Sequence, residues 1–158
     1  VEDQLRVAKK LWQATDKILL IVEPGTPQGY RVLKRIRQAF LELGAHVLAP
    51  CPHENDCPLT EDDWCHFTCR IQRNRLHKLA KGGDSPYEDE KFSYLALSKE
   101  RPDINGARVL RHPYIGKGHV KLDLCTDEGY RQKTIAKSDG SLYKTAKKAE
   151  CGDFIELD

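Results

Sequence analysis

Near its N-terminus the chain reads Ile18-Leu19-Leu20-Ile21-Val22-Glu23-Pro24-Gly25-Thr26-Pro27, a short apolar run closed by a sharp break. A run of this length that is rich in branched side chains is typical of a strand buried on both faces. The break ends the strand, because proline lacks an amide donor and glycine permits a tight turn. We therefore predict a β-strand over residues 18–22.

The segments around this strand have helical or strand character. Apolar residues recur at helical spacing over residues 3–14 and 33–43, and Gly44 follows where a left-handed helix cap belongs. Residues 46–49 are apolar and predict a second strand. Strand, helix and strand in this order predict a βαβ unit, and hence part of a parallel α/β sheet.

Further along, Thr60 or Asp62 is a candidate cap for a helix from about Trp64 to Ala80. Five more strands are predicted, at 92–97, 108–111, 119–124, 131–137 and 153–157, with a hairpin turn at 138–141. The chain is thus divided into an α/β part with a Cys-rich loop, residues 1–100, and a small antiparallel β module, residues 101–158.

Composition limits the protein's class. The chain has 158 residues, of which 39% are hydrophobic and 32% charged, so it has enough apolar material for a core and is not disordered. No apolar stretch approaches the roughly 18 residues that a membrane span needs. The chain contains no methionine, and we expect it to be a piece of a longer protein. Net charge is only +2, but residues 101–148 hold eleven Lys and Arg against five Asp and Glu. Such a basic region suits a polyanion such as RNA, although a solvated surface has the same composition.

Cysteine spacing indicates a metal centre. Three of the six cysteines, Cys51, Cys57 and Cys65, surround one Pro-rich loop, and Cys125 is the favoured fourth ligand because it closes a predicted strand. The chain lacks the CxxC knuckles that structural zinc prefers, and uneven spacings fit an iron–sulfur cluster at least as well. Zinc completed by His53 or His66 stays open, as does a set of unconnected, reduced thiols.

Several motifs together resemble a known family. They occupy residues 22–29, 44–53, 57–59, 63–67, 86–94 and 117–126. In these segments the chain is similar to the C-terminal half of the methyltransferase-like ribosomal small-subunit assembly proteins, which are found in mitochondria and bacteria.

The resemblance implies a fold, a cofactor and a partner. The fold would be α/β, a partial class I methyltransferase (Rossmann-like) sheet with the β module appended. A 4Fe-4S cluster would be held by Cys51, Cys57, Cys65 and Cys125, while Cys69 and Cys151 would be packing or surface residues. The partner would be the small ribosomal subunit and its rRNA, in the mitochondrial matrix or, for a bacterial source, the cytoplasm. The candidate RNA contacts are Arg70, Arg73, Arg75, Lys78, Lys144, Lys147 and Lys148.

One departure from the family concerns catalysis. A class I methyltransferase cradles S-adenosylmethionine in a glycine-rich loop, and no GxGxG sequence occurs here. We therefore expect the chain neither to bind that cofactor tightly nor to transfer a methyl group by itself. An S-adenosylmethionine-dependent rRNA methyltransferase, to which this chain contributes one half, is the alternative function.

Overall fold

The computed structural model describes residues 2–60 and 62–157 as two β-sheets with helices packed against them. The elements of the first part are α1 (Glu2–Ala14), β1 (Ile18–Pro24), α2 (Pro27–Leu41), β2 (His46–Ala49), β3 (Phe67–Gln72), α3 (Arg75–Lys81) and β4 (Tyr87–Ser98). Those of the second are β5 (Ala107–Val109), β6 (Tyr114–Gly116), β7 (His119–Thr126), β8 (Gly129–Ala136), α4 (Gly140–Lys148) and β9 (Phe154–Ile155). Within the described ranges no helix combines the length and the apolar character needed to cross a bilayer.

The long strand β4 organises the first sheet. Strand β1 runs antiparallel along one edge of β4, from the pair Ile18–Ser98 to the pair Pro24–Phe92. Strands β2 and β3 pair antiparallel with the opposite edge, β2 with residues 96–98 and β3 with residues 87–92. Strands β1 and β2 are therefore parallel and joined by α2, as predicted, but β4 lies between them and every hydrogen-bonded pair is antiparallel. The prediction of a parallel sheet was wrong in this respect, because the intervening strand comes from a distant segment.

The break after β1 builds the start of α2. Thr26 caps the helix by accepting a hydrogen bond from the Gly29 amide at 3.1 Å, and Pro27 occupies the first turn, where its missing amide costs nothing. Gly25 packs so closely on β4 that an added Cβ would lie 2.7 Å from the Lys91 carbonyl carbon. The Pro-Gly-Thr-Pro sequence is thus a helix start pressed against the central strand.

Strand β1 is buried on one face, not on both as predicted. Leu19 is buried in the first core, whereas Ile18, Leu20 and Val22 are 54%, 59% and 56% exposed. Side chains alternate across a strand, and α2 covers only one of its faces.

The predicted helix from Trp64 to Ala80 is wrong. Residues 67–72 form strand β3, and only Arg75–Lys81 are helical, capped by the Asn74 side chain. Phe67 and Ile71 suit a strand, and a full ladder with β4 outweighs their weak helical propensity. Cys65 and Cys69 consequently do not share a helix face.

In the second sheet β8 pairs with β7 along its whole length, over residues 119–126. The opposite edge of β7 pairs with β6 at residues 119–121 and with β5 at residues 124–125, and β9 pairs with β5. All four predicted strands of the module are present with shifted ends, and β6 is an additional strand. The turn predicted at 138–141 is instead a 3-10 turn that leads into α4, because Leu142, Tyr143 and Ala146 give that segment an apolar helical face. Val120, Leu122 and Ile135 form the centre of a second core, separate from the first.

Candidate metal centre

A gap along β4 creates the site. Strands β2 and β3 lie end to end on the same edge of β4, and β4 residues 93–95 lie between the segments with which they pair. The chain from 50 to 66, which we call the cysteine loop, leaves the sheet at this gap, and its described residues have no helix or strand. Residues 93–95, the cysteine loop and α2 line a cavity of about 50 Å³.

Four thiols from separate parts of the chain line this cavity. Cys51 follows β2, Cys57 lies in the middle of the cysteine loop, Cys65 precedes β3, and Cys125 belongs to β7 of the other sheet. These are the four cysteines expected from the sequence, and all are reduced. The cavity thus lies between the two parts of the molecule, and the cysteines that line it are up to 74 residues apart in sequence.

Neighbouring side chains hold the thiols in place. The Tyr30 hydroxyl of α2 lies 3.0 Å from the Cys57 sulfur, and the His53 Nε2 lies 3.4 Å from the Cys125 sulfur. The Ser93 hydroxyl of β4 donates to the Cys65 carbonyl at 2.7 Å. Each of these bonds fixes one ligand candidate to a regular element or to the loop itself.

The electrostatics favour a thiolate at one position. The Cys125 thiol, with the Arg37 and Arg108 guanidiniums, lowers the pKa of Cys51 to about 7 against the opposing effect of burial. Interaction with Cys51, and then burial, raises the pKa of Cys125, and burial raises the pKa of Cys65. Because metal ligands must be deprotonated, a cation bound here displaces protons from the latter two thiols.

Arg37 ties the cysteine loop to α2. Arg37 is only 6% exposed, and its Nη2 donates to the carbonyl oxygens of His53 at 2.9 Å and Asn55 at 2.8 Å. Two buried polar atoms here have no partner among the described residues, Nε of Arg37 and Nδ1 of His53. Burial, and then Arg37, lower the pKa of His53, so that its ring is neutral at neutral pH.

The sulfur spacing bears on the kind of metal. A tetrahedral zinc site with bonds of about 2.3 Å places its sulfurs about 3.8 Å apart. Across residues 2–60 and 62–157, no three cysteine or histidine ligand atoms of this cavity lie within 4.8 Å of one another. The thiols as they stand therefore do not form a tetrahedral zinc site.

The remaining cysteines lie outside the cavity. Cys69 is exposed on β3. Cys151 donates to the Leu110 carbonyl at 3.2 Å, and its burial raises its pKa. His66 stacks on Trp64 with ring centroids 5.2 Å apart and does not line the cavity.

The candidate RNA contacts fall into two groups. Arg70 is bound by both carboxylate oxygens of Asp89, at 2.7 and 2.9 Å, and Arg73 donates to Glu88 at 3.0 Å. The others form no ion pair among the described residues, and they are Arg75, Lys78, Lys144, Lys147 and Lys148. Three of these are exposed together on α4 at positions 144, 147 and 148.

A second cluster of potential ligand atoms is an ion-pair network. His77, Glu88 and Glu90 bring their ligand atoms within 4.8 Å of one another. Glu88 accepts hydrogen bonds from Lys81 at 2.8 Å and from Arg73 at 3.0 Å. These bonds lower the pKa of Glu88 to about 2. Two cations already neutralise this carboxylate, so the cluster offers little to a metal ion.

Sequence reasoning missed Arg37, Arg108 and Tyr30 as neighbours of the thiols. A signal existed only for Arg37, which interrupts the apolar face formed by Leu33, Ile36 and Phe40 of α2. A cation on such a face needs buried acceptors, and the loop carbonyls supply them.

Comparison with known proteins finds a family and relatives that match almost the whole chain. A family model described as "Mitochondrial small ribosomal subunit Rsm22" matches residues 2–156. The human protein "Ribosome assembly protein METTL17, mitochondrial" is 28% identical over 98% of this chain and 36% of its own length. "Rsm22-cox11 tandem protein 2, mitochondrial" of Schizosaccharomyces pombe is 26% identical over 99% of this chain and 27% of its own length. "Ribosome assembly protein RSM22, mitochondrial" of Saccharomyces cerevisiae is 22% identical over 86% of this chain and 38% of its own length.

The chain therefore spans about a third of the length of the curated relatives that it matches. The family match, in contrast, covers the chain almost from end to end. The chain belongs to the Rsm22 family of mitochondrial small ribosomal subunit proteins.

Proposed function

We propose that this chain is part of an assembly factor for the mitochondrial small ribosomal subunit, acting in the mitochondrial matrix, and that its cysteine cavity holds a 4Fe-4S cluster. Family membership and the names of the relatives, two of which are called mitochondrial ribosome assembly proteins, support the assembly role and the location. The observation that carries the cluster is the cavity lined by Cys51, Cys57, Cys65 and Cys125.

The donor set fits such a cluster. Iron–sulfur clusters are held by cysteine thiolates, and four cysteines line this one cavity. Among the described residues the thiols do not already form a tetrahedral zinc site, and structural zinc is the alternative occupant. When bound, the cluster supplies cross-links between segments, so that its binding free energy becomes folding free energy. The protein's own part is to fix Cys57 through Tyr30 and to bring Cys125 in from the second sheet.

We also propose that the first sheet is one side of a methyltransferase-like sheet and that residues 1–100 and 101–158 are separate domains. Parallel β1 and β2 joined by α2 support the first idea, because α/β sheets often combine parallel strands with an antiparallel one. The two separate cores support the second. The chain has no GxGxG loop, and we propose that it transfers no methyl group by itself.

Binding to rRNA completes the proposal. Three lysines of α4 form no ion pair among the described residues and are available for phosphates, as are Arg75 and Lys78. These lysines are Lys144, Lys147 and Lys148. Arg70 and Arg73 would first have to exchange Asp89 and Glu88 for phosphate, so we rank them below the others.

A metal analysis of the protein purified without oxygen tests the cluster. We expect a brown protein with about four iron and four sulfide per chain. Cys51→Ser removes one cavity thiol and should lose most of the iron, whereas Cys69→Ser, which changes an exposed thiol outside the cavity, should retain it.

A colourless protein with about one zinc per chain would show that structural zinc, and not the cluster, occupies the cavity. Equal loss of iron in both variants would refute the assignment of ligands. In cells, Cys51→Ser should reduce small-subunit assembly while Cys69→Ser does not. Methyl transfer to rRNA by the full-length protein would favour the methyltransferase alternative, whereas loss of assembly in Cys51→Ser with methyl transfer intact would favour the assembly role.

A further inference from the structure

Helix α2 carries a stripe of polar side chains along its solvent side. Arg31, Lys34, Arg35 and Gln38 stand at the i, i+3, i+4 and i+7 positions of one helical face, and all four are exposed. We call this set the α2 stripe. The opposite face of the helix is buried in the first core.

The α2 stripe does not stabilise its own helix. Arg31 and Lys34 are three residues apart and Arg31 and Arg35 are four apart, and like charges at these spacings disfavour a helix. Among the described residues, no carboxylate forms an ion pair with any of the three. Arg70 and Arg73, in contrast, face carboxylates across β4. Repulsion that the fold leaves unrelieved is a reason to look for an external anion.

The α2 stripe forms one wall of a groove. The groove has a volume of about 550 Å³, and the facing wall consists of Asp56 and Cys57 of the cysteine loop. Arg37 also lines the groove, so that four cationic side chains line it against one carboxylate. A concave surface of one sign concentrates the field and attracts a polyanion. The α2 stripe is about 10 Å long, which leaves room for more than one phosphate.

We propose that this groove binds the phosphate backbone of RNA. The inference rests on the rRNA binding proposed above and assigns it to a surface on the opposite part of the chain from the α4 lysines. Lys34, Arg37 and Cys57 line both this groove and the cysteine cavity, so the RNA surface and the metal site share a wall. Phosphate contacts of this kind position an RNA without reading its sequence.

The test changes only the two arginines that do not line the cavity. The double variant Arg31→Gln/Arg35→Gln removes two charges from the α2 stripe, and Lys9→Gln/Lys10→Gln removes two exposed charges from α1 as the matched control. The first variant should retain its metal. Its thermal midpoint should equal or exceed that of the unmodified protein, because repulsion along α2 is relieved.

Binding to a fluorescein-labelled RNA hairpin is then measured by anisotropy over a series of chloride concentrations. We expect the Arg31→Gln/Arg35→Gln variant to bind at least about tenfold more weakly, with a salt slope smaller by about one to two. The control should stay within about twofold of the unmodified protein, since neither of its lysines lines the groove. Potassium phosphate at matched ionic strength should compete no better than chloride.

Three results would overturn the proposal. The first is an RNA affinity of the Arg31→Gln/Arg35→Gln variant that equals the affinity of the control. If the triple variant Lys144→Gln/Lys147→Gln/Lys148→Gln then abolishes binding, the proposal of rRNA binding stands and only its assignment to the groove fails. The second is absence of hairpin binding by the unmodified protein, which would refute both proposals. The third is specific competition by phosphate, which would make the groove a site for a small anion. A lower thermal midpoint of the double variant would indicate a structural role for the α2 stripe.

Discussion

The cysteine loop and the hairpin of β7 and β8 are ordered by opposite means. In the hairpin, Val120, Leu122 and Leu124 alternate with exposed or half-exposed residues, and their side chains fill the second core. The described residues of the cysteine loop form no ladder, and bonds from other elements hold their backbone instead. The Arg108 side chain donates to the Pro50 carbonyl, and the Ser93 hydroxyl donates to the Cys65 carbonyl. The loop adds one bond of its own, from the Trp64 indole to the Gly25 carbonyl.

The difference shows where each region's order comes from. A hairpin with a buried face contains its own stabilising contacts, so it is ordered wherever the core is formed. The cysteine loop depends on side chains that lie on α2, β4 and β5, and on whatever the thiols bind. Damage to the hairpin should therefore unfold the protein, while damage to the loop's anchors should open the loop and spare the rest.

The largest effect is expected in the hairpin. Leu122→Ala removes a fully buried side chain and should lower the free energy of unfolding by roughly 2–5 kcal/mol, because it leaves a cavity in the second core. Thr134→Ala, at an exposed position of β8, should cost less than about 1 kcal/mol. Urea unfolding measures both. A small effect of Leu122→Ala would mean that the second core contributes little to cooperative folding.

A smaller and local effect is expected in the loop. Arg37→Gln deprives two loop carbonyls of their charged donor and should cost about 1–3 kcal/mol. Arg35→Gln makes the same chemical change on the exposed side of α2 and should be close to neutral in stability. Hydrogen exchange should become faster in the cysteine loop of Arg37→Gln and stay unchanged in residues 119–136. Equal acceleration in both regions would contradict the contrast between them.

The smallest effect concerns the ion pairs between β3, α3 and β4, a third kind of anchor. The folded-state pKa of Glu88 is about 2, below its ordinary 4.5, because Lys81 and Arg73 bind the carboxylate. These pairs stabilise the fold above pH 4.5, and their contribution disappears as the pH falls towards 2.

Thermal midpoints between pH 6 and pH 2 measure this contribution. The Glu88→Gln variant should be slightly less stable than the unmodified protein at pH 6, and the difference should vanish near pH 2. Glu100→Gln, which alters an exposed carboxylate outside these pairs, should show no such convergence. A difference that persists unchanged at pH 2 would point to a role for Glu88 other than its charge.

The predictability of the fold depended on how local each signal was. Periodicity predicted α1, β1 and β2 close to their observed bounds, since each signal lies within one segment. It located α2 but placed it at residues 33–43, whereas the helix begins at Pro27. It mistook β3 for a helix and missed α4, because the strand is stabilised by pairing with β4 and the helix by packing on β7. The expectation that Arg70 and Arg73 are free for RNA could not include Asp89 and Glu88, which reach them only across the β3–β4 ladder.

The amino-acid sequence by itself determined which residues are chemically able to bind a metal and that three thiols flank one loop, because residue identity and short spacings are properties of a local segment. It also determined that α2 has one apolar face. The tertiary structure decided that Cys125 joins those thiols, that β4 lies between β1 and β2, and that the α2 stripe faces a groove. These features depend on contacts between residues far apart in the chain, and such contacts form only where packing and strand pairing outweigh local preference.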